Sequence, residues 1–392
     1  MPSRLYPIDP EAEELQAFCR ALLRLPGLPG EEGAVAQAVA ARMVALDYDQ
    51  VEIDEYGNVI GQITGARDGP CLFFDSHMDV VPVTNPEAWR HDPFGAEIED
   101  GRLWGRGAAD TRGSLAAMLY AAGRLPRHAL HGRCLVVASV CEELLTGAAL
   151  GPLLDRFKPD VLVTGEPTNL RLGVAQKGRC SLLVTTRGRS AHTSRPELGD
   201  NAVYKMMDAI TRLRALPYTP DPLLGVGVLE LTEIISEPLP GTSFVPHGCK
   251  ARLIGRIMPG ETAESVLSRL RASLDGIPGV DLRLVELRQE CYTGRSLVME
   301  DFIPGWRNPP GDPWQERILS ALAVAGLPAI PFGAPCGTNA SAGAGARGIS
   351  SFIYGPGSLD QAHTIDEWVQ LSELYAAYHG YQSIALACCK TL

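Results

Sequence analysis

The chain has 392 residues, which suits two domains better than a single core. Its 45% hydrophobic and 21% charged residues are those of an ordinary globular protein. Lys and Arg number 35 against 46 Asp and Glu, and the net charge of -11 argues against a nucleic-acid partner and against binding to an anionic membrane surface.

The N-terminal run Met1–Pro10 has no apolar segment of signal-peptide length, so none is expected, and the longest apolar stretches are strand-sized, so no membrane span is expected. From Glu11 to Leu46 the pattern predicts amphipathic helices broken by a Pro/Gly turn at Leu25–Gly30. A hairpin follows at Val51–Asp54 and Asn58–Ile63, then a buried strand at Cys71–Asp75. Arg112–Leu125 carries Ala, Leu and Met at helical spacing. Cys134–Cys141 and Asp160–Thr164 read as buried strands. In the middle, Arg179–Arg187 alternates as a half-buried strand, and Asn201–Leu216 is a helix. Strands at Val226–Thr232, Cys249–Ile257 and Val280–Leu287 flank a helix at Thr262–Leu274. A last buried strand is predicted at Ser350–Tyr354 and a terminal helix at Ile365–Cys388. Apolar strands between helices predict an α/β domain with a mostly parallel sheet, drawn from residues 1–178 and 293–392. The β-α-β-β-α-β order of residues 179–292 predicts an inserted α+β sandwich of ferredoxin-like type. The ten cysteines are scattered, with no C-x-x-C, and read as reduced thiols of a cytoplasmic protein; Cys141 reads as a buried strand cysteine.

The polar residues of interest follow the predicted strands. His77-Met-Asp79, Glu142-Glu143, Glu166 and His363 lie beyond four strand ends, and Asp110 lies in a Gly-rich loop before a helix. Ligands of open α/β sheets bind beyond the carboxyl ends of the strands. Two imidazoles and several carboxylates suit Zn²⁺ or another borderline divalent ion. They are too many for one catalytic zinc with an open position and fit two metals sharing a carboxylate. Spacing of two along a strand predicts that Asp79 accepts the second ring N–H of His77. Of the adjacent glutamates, one can bind metal while the other acts as general base. Gly343–Gly348 matches G-x-G-x-x-G, but a strand rather than a helix follows, so no dinucleotide site is expected. Asn339-Ala-Ser341 is a glycosylation sequon by pattern only, and no Gly-x-Ser-x-Gly elbow exists.

The runs Ser76–Pro82, Gly105–Gly113, Cys141-Glu-Glu, Thr164–Thr168, Gly188–His192 and Tyr354–Thr364 resemble, in order, those of the M20 family of co-catalytic metallopeptidases and deacylases. The resemblance implies that Asp110 bridges two metals and that the Asp110–Thr111 peptide is cis. It implies that His77 and Glu166 complete one metal site, Glu143 and His363 the other. Glu142 would be the general base, Asp79 would orient His77, and Arg256 would hold a substrate carboxylate, which suits its two-pronged guanidinium. His192, on the insertion, would reach the partner subunit's active site and stabilise the tetrahedral oxyanion, making the insertion both lid and dimerisation domain of a homodimer. The metals implied are Zn²⁺, with Co²⁺ or Mn²⁺ as alternatives.

Ser243-Phe-Val-Pro246 stands where many members have an N-x-V-P run, Ile254 where an Asp is usual, and Gly337-Thr-Asn-Ala-Ser where Gly-Thr-Asp is common. Tyr292-Thr-Gly-Arg, Pro304-Gly-Trp and Pro222-Leu-Leu-Gly look closer to the selenium-metabolism-linked hydrolases of the family. The leading expectation is an amidohydrolase acting on an N-acyl amino acid, of deacetylase or desuccinylase type. The alternatives are a dipeptidase or carboxypeptidase with the same chemistry, and a metal-binding protein without turnover, which the presence of Glu142 and the five ligands disfavours.

Overall fold

The computed structural model describes residues 10–390; Met1–Asp9, most of the run in which no signal peptide was expected, lie outside the described residues. Its largest sheet is ordered Gln50–Ile53, Val59–Thr64, His131–Ser139, Arg67–His77, Val161–Gly165, Ser350–Tyr354, Leu172–Gln176 and Trp306–Arg307, with Pro331–Ala334 paired to Leu172–Gln176. The strands from His131–Ser139 to Ser350–Tyr354 are mutually parallel, and the pairs outside them on this path are antiparallel.

Side-chain alternation explains why these apolar runs form strands covered on both faces. Leu72, Phe74, Val136 and Val163 enter one core with helices Gly113–Gly123 and Leu371–Cys388, while Phe73, Leu135, Val137 and Leu162 meet Leu150, Leu153 and Leu154 on the other side. All ten cysteines are free thiols. Among the described residues no helix is long and apolar enough to cross a membrane.

A second sheet runs Val228–Glu237, Gly248–Ile257, Gly178–Arg187, Val280–Leu284, in antiparallel pairs. Helices Ala202–Arg214 and Ala263–Ser273 cover one face through Met206, Ala209, Leu213, Val266 and Leu270. This sandwich has its own apolar cluster, separate from those of the large sheet.

Several elements differ from expectation: the strand expected at Val226–Thr232 runs Val228–Glu237, and Cys141, expected in a strand, lies beyond its end at Ser139. The terminal helix starts at Leu371, six residues late, because Trp368–Gln370 pairs as a strand with Arg102–Trp104 and the preceding Asp366 and Glu367 are held by Arg90 and Arg106. The strand predicted to Leu287 stops at Leu284. At Val285 the chain bonds Ser181 and Asp301 and leaves the sandwich for a hairpin, Glu286–Glu290 with Ser296–Glu300, whose Leu297, like the neighbouring Cys291, enters the larger core.

Two chain crossings join sandwich and large sheet, and they run side by side. Phe302 and Ile303 pair with Cys180 and Arg179, then Trp306 and Arg307 with Gln176 and Ala175. Gly178 sits between them, and a Cβ there would strike the Ile303 carbonyl oxygen and the Gly305 nitrogen, both backbone atoms. Gly178→Ala is therefore expected to cost about 1–3 kcal/mol, read as a lower urea midpoint at an unchanged m-value.

Candidate active site

The parallel strands deliver their carboxyl ends to one edge. His77 ends its strand; Glu142 and Glu143 open a single helical turn after Ser139; Glu166 follows Gly165; His363 comes nine residues after Tyr354. Asp110 sits in an irregular turn before helix Gly113–Gly123, and the Asp110–Thr111 peptide is cis.

Ligand atoms of His77, Asp110 and Glu166 lie within 4.8 Å of one another, as do those of Asp110, Glu143 and His363. Asp110 belongs to both groups and divides its oxygens between them. Its Oδ1 is 3.2 Å from His77 Nε2 and its Oδ2 is 3.4 Å from His363 Nε2. His363 Nε2 is also 3.0 Å from Glu143 Oε2. Glu142 stands beside both groups, 4.0 Å from His77 Nε2, and is 7% exposed.

The tautomer of His77 is set by the backbone. Its Nδ1 lies 2.9 Å from the carbonyl oxygen of Asp79, which can only accept, so Nε2 is the nitrogen facing Asp110. This corrects the expected role of the Asp79 carboxylate, which is 3.6 Å from Nδ1. The strand ends at His77, so the two-residue spacing no longer places both side chains on one face. Fully buried, the Asp79 carboxylate accepts instead the backbone N–H groups of Glu142 at 3.1 Å and Glu143 at 2.9 Å.

The charges are crowded. Among the described residues, no lysine or arginine forms an ion pair with Asp110, Glu142, Glu143 or Glu166. Burial pushes Glu142 up to about 8, with Glu143 and Asp79 adding to the rise against His77. Burial, then the charge of Asp110, raises Glu166 well above the carboxylate range. Burial opposes ionisation of Asp110 too, but hydrogen bonds with His363 and His77 hold it well below that range. Hydrogen bonds to Asp110 and Glu143 push His363 up to about 10. This donor set of imidazole nitrogens and carboxylate oxygens fits divalent cations, which would neutralise it.

His192 and Arg256 are not brought into this cluster. The exposed imidazole of His192 bonds Ser194, and its backbone forms a bridge with Phe244. Thr193 donates its N–H to the Ser243 carbonyl, so the departing Ser243-Phe244 segment runs beside His192. Arg256 is half-buried on the sandwich strand Gly248–Ile257, and its charge acts on Cys336. Burial pushes that thiol up to about 12, and it feels the charges of Glu166, Arg256, Asp110 and Glu142 in that order.

Sequence reasoning missed several supporting residues. Glu32, fully buried, accepts the Cys141 N–H at 2.9 Å, fixing the residue before Glu142 in a left-handed conformation. Glu367, fully buried, accepts the N–H groups of Ala109 and Asp110. Asn339, in the departing Gly337-Thr-Asn run, donates to Asp75 and Ser139 at 3.0 Å and accepts from the Gly147 N–H. Apart from Asn339, flagged as a departure, none sits in a run with a spacing signal.

Comparison with known proteins accords with this arrangement. A sequence profile described as peptidase family M20/M25/M40 matches residues 73–387. The uncharacterized protein YgeY of Escherichia coli (strain K12) is 28% identical over 387 residues, 95% of this chain and 94% of that one. A succinyl-diaminopimelate desuccinylase of Methylorubrum extorquens is 31% identical over 298 residues, 68% of this chain and 74% of that one. The crystal structure of Bacillus subtilis YXEP, described as a dinuclear metal binding peptidase from the M20 family, superposes with a TM-score of 0.70 at 15% identity, covering 97% of this chain and 99% of that one.

Asp75, two residues before His77, yields a pH-dependent expectation. It is fully buried, and burial pushes it up to about 6 from an ordinary 3.8, against hydrogen bonds from Ser139 and Asn339. The folded state thus binds this proton more tightly than the unfolded state. The stability it lends is fully present below about pH 4 and lost as pH rises toward 6, on the order of 3 kcal/mol. Asp75→Asn is expected to lack this loss, so its stability relative to wild type should rise between pH 4 and pH 7 in urea unfolding with EDTA present.

Proposed function

The chain belongs to peptidase family M20/M25/M40, metal-dependent hydrolases of amide and peptide bonds, and on that premise we propose that it removes the acyl group from an N-acyl amino acid or a related amine. The observation that carries this reading is the Asp110 carboxylate shared by two ligand groups with a buried, otherwise uncommitted Glu142 beside them. His77, Asp110 and Glu166 would hold one divalent cation, and Asp110, Glu143 and His363 the other. The cations, assigned as Zn²⁺ with Co²⁺ or Mn²⁺ as alternatives, supply Lewis acidity toward the carbonyl and acidify the attacking water.

The protein's own groups do the rest. Glu142 accepts the proton of the attacking water and returns it to the leaving amine, a task open to it because its buried carboxylate stands beside the ligand groups and is committed to no hydrogen bond among them. Asp79 holds the backbone of the Glu142-Glu143 turn, so that base and ligand keep a fixed relation. Arg256 would hold the substrate carboxylate; its charge and those of Glu166, Asp110 and Glu142 all act on Cys336. Residues 179–292 act as lid and dimerisation domain, from which His192 would stabilise the oxyanion in the partner's site. Support for this comes from the unpaired edge of strand Val228–Glu237, where Ile234 and Ile235 are exposed, and from exposed Tyr204 and Met207 on the adjoining helix.

Glu142→Ala is expected to lower kcat roughly 100- to 10,000-fold. The assay is amine release from N-acetyl, N-succinyl and N-carbamoyl amino acids and from dipeptides, with added Zn²⁺, Co²⁺ or Mn²⁺. Turnover of acyl amino acids alone establishes the deacylase; turnover of dipeptides alone moves the chain to the peptidases, the activity stated for the B. subtilis structure. A near wild-type rate in Glu142→Ala would remove Glu142 as the base. His192→Ala is expected to lower kcat strongly while two metal ions stay bound and the protein remains a dimer by light scattering; loss of metal in that variant would rule out the oxyanion role.

A further inference from the structure

The loop bearing Asp110 has a partner outside the ligand set. Glu367 is fully buried, four residues beyond His363, and every polar contact the structure gives it goes to residues 105–110. One oxygen, Oε1, accepts the N–H of Ala109 at 2.9 Å and of Asp110 at 3.0 Å. The other, Oε2, accepts from Arg106 Nη1 at 2.6 Å. Its main-chain carbonyl accepts the Gly105 N–H at 2.9 Å. Arg106 is itself 1% exposed, and its guanidinium lies over the Trp89 ring, 5.3 Å from the centroid.

A buried carboxylate persists only when it is paired and hydrogen-bonded. Here the pairing is spent on one loop. The two amides gripped by Oε1 lie immediately on the N-terminal side of Asp110. On the C-terminal side, the Thr111 hydroxyl is 2.9 Å from Ser76 Oγ, on the His77 strand. Asp110 is thus clamped on both sides, while its oxygens must point to two separate ligand groups. We propose that Glu367, backed by Arg106, is a positioning residue that orients the Asp110 carboxylate between the two cation sites. This rests on the two-metal reading given above.

Glu367→Gln is the direct test. Whichever way its amide is turned, an NH₂ group faces either the two backbone amides or the Arg106 guanidinium, so donor meets donor. Residues that support metal ligands in this way typically change metal affinity or activity by about 10- to 100-fold. Apo full-length wild type and variant are titrated with Co²⁺ alone, following heat and the visible absorption of bound Co²⁺. Wild type is expected to bind two ions. Glu367→Gln is expected to bind at least one of them about 10- to 100-fold more weakly, with an altered Co²⁺ spectrum and an unchanged circular dichroism spectrum. Asp312→Ala, which removes the cap of helix Pro313–Val324 elsewhere in the chain, serves as control and should lower Tm without changing Co²⁺ affinity. Wild-type affinity and spectrum in Glu367→Gln would overturn the proposal and leave Glu367 a purely structural residue. Uptake of fewer than two ions by wild type would overturn the two-metal reading and this proposal with it. Should Glu367→Gln not fold, Glu367→Asp keeps the charge opposite Arg106 but is one methylene short of the amides. It is expected to weaken Co²⁺ binding about 10-fold, and wild-type affinity in it would likewise overturn the proposal.

Discussion

Like charges brought close together in a buried site repel, and that repulsion governs the architecture around Asp110. Asp110, Glu142 and Glu166 are buried with His77 at one edge of the sheet, beside half-buried Glu143 and exposed His363, and no lysine or arginine among the described residues pairs with them. Side chains left to themselves would turn away from one another. Here they are presented by strand ends and tight turns, and those turns are tied down from behind. Glu32 grips the amide of Cys141, Asp79 those of Glu142 and Glu143, and Glu367 those of Ala109 and Asp110. The acidic cluster is therefore backed by a second set of buried carboxylates, each ionic group in that set being offset by backbone donors or by arginine.

The parallel sheet was legible in the sequence because its strands are buried on both faces and read as short, continuous apolar runs between helices. The same logic brought the candidate residues together, since residues just beyond such runs collect at one edge; His77, Glu142, Glu143, Glu166 and His363 all lie there. The supporting residues were hidden for an equally physical reason. Glu367 falls in Ile365-Asp-Glu-Trp368, which continues the periodicity of the terminal helix, and an acidic residue at a helix start reads as a complement to the dipole. Only the pairing of Trp368–Gln370 with Arg102–Trp104 shows that the helix begins later and that Glu367 turns inward. Asp79 was assigned to the right neighbourhood but to the wrong bond, because the strand periodicity applied to it ends at His77.

The sandwich behaves differently. Its strands alternate, its core is its own, and the residues on it that the family resemblance singles out, His192 and Arg256, do not join the acidic cluster within one chain. Its two connections to the large sheet lie against each other, with Gly178 at the closest approach. Sandwich and large sheet are thus separately packed layers, joined where these strands run side by side and where the hairpin of residues 286–300 enters the larger core.

The grip of Asp79 and the Oε1 grip of Glu367 close on peptide groups, while Glu367 Oε2 holds the Arg106 side chain. The specificity of the peptide grips is therefore blind to residue identity at a gripped position, with one exception. An alanine, serine or valine at position 109 would offer the same N–H to Glu367, within what the buried space admits, whereas proline would offer none and would fix φ besides. Sequence drift in this loop is consequently filtered by volume and by the presence of an amide hydrogen. A comparison of side-chain chemistry alone would leave the most constrained part of the loop looking unremarked.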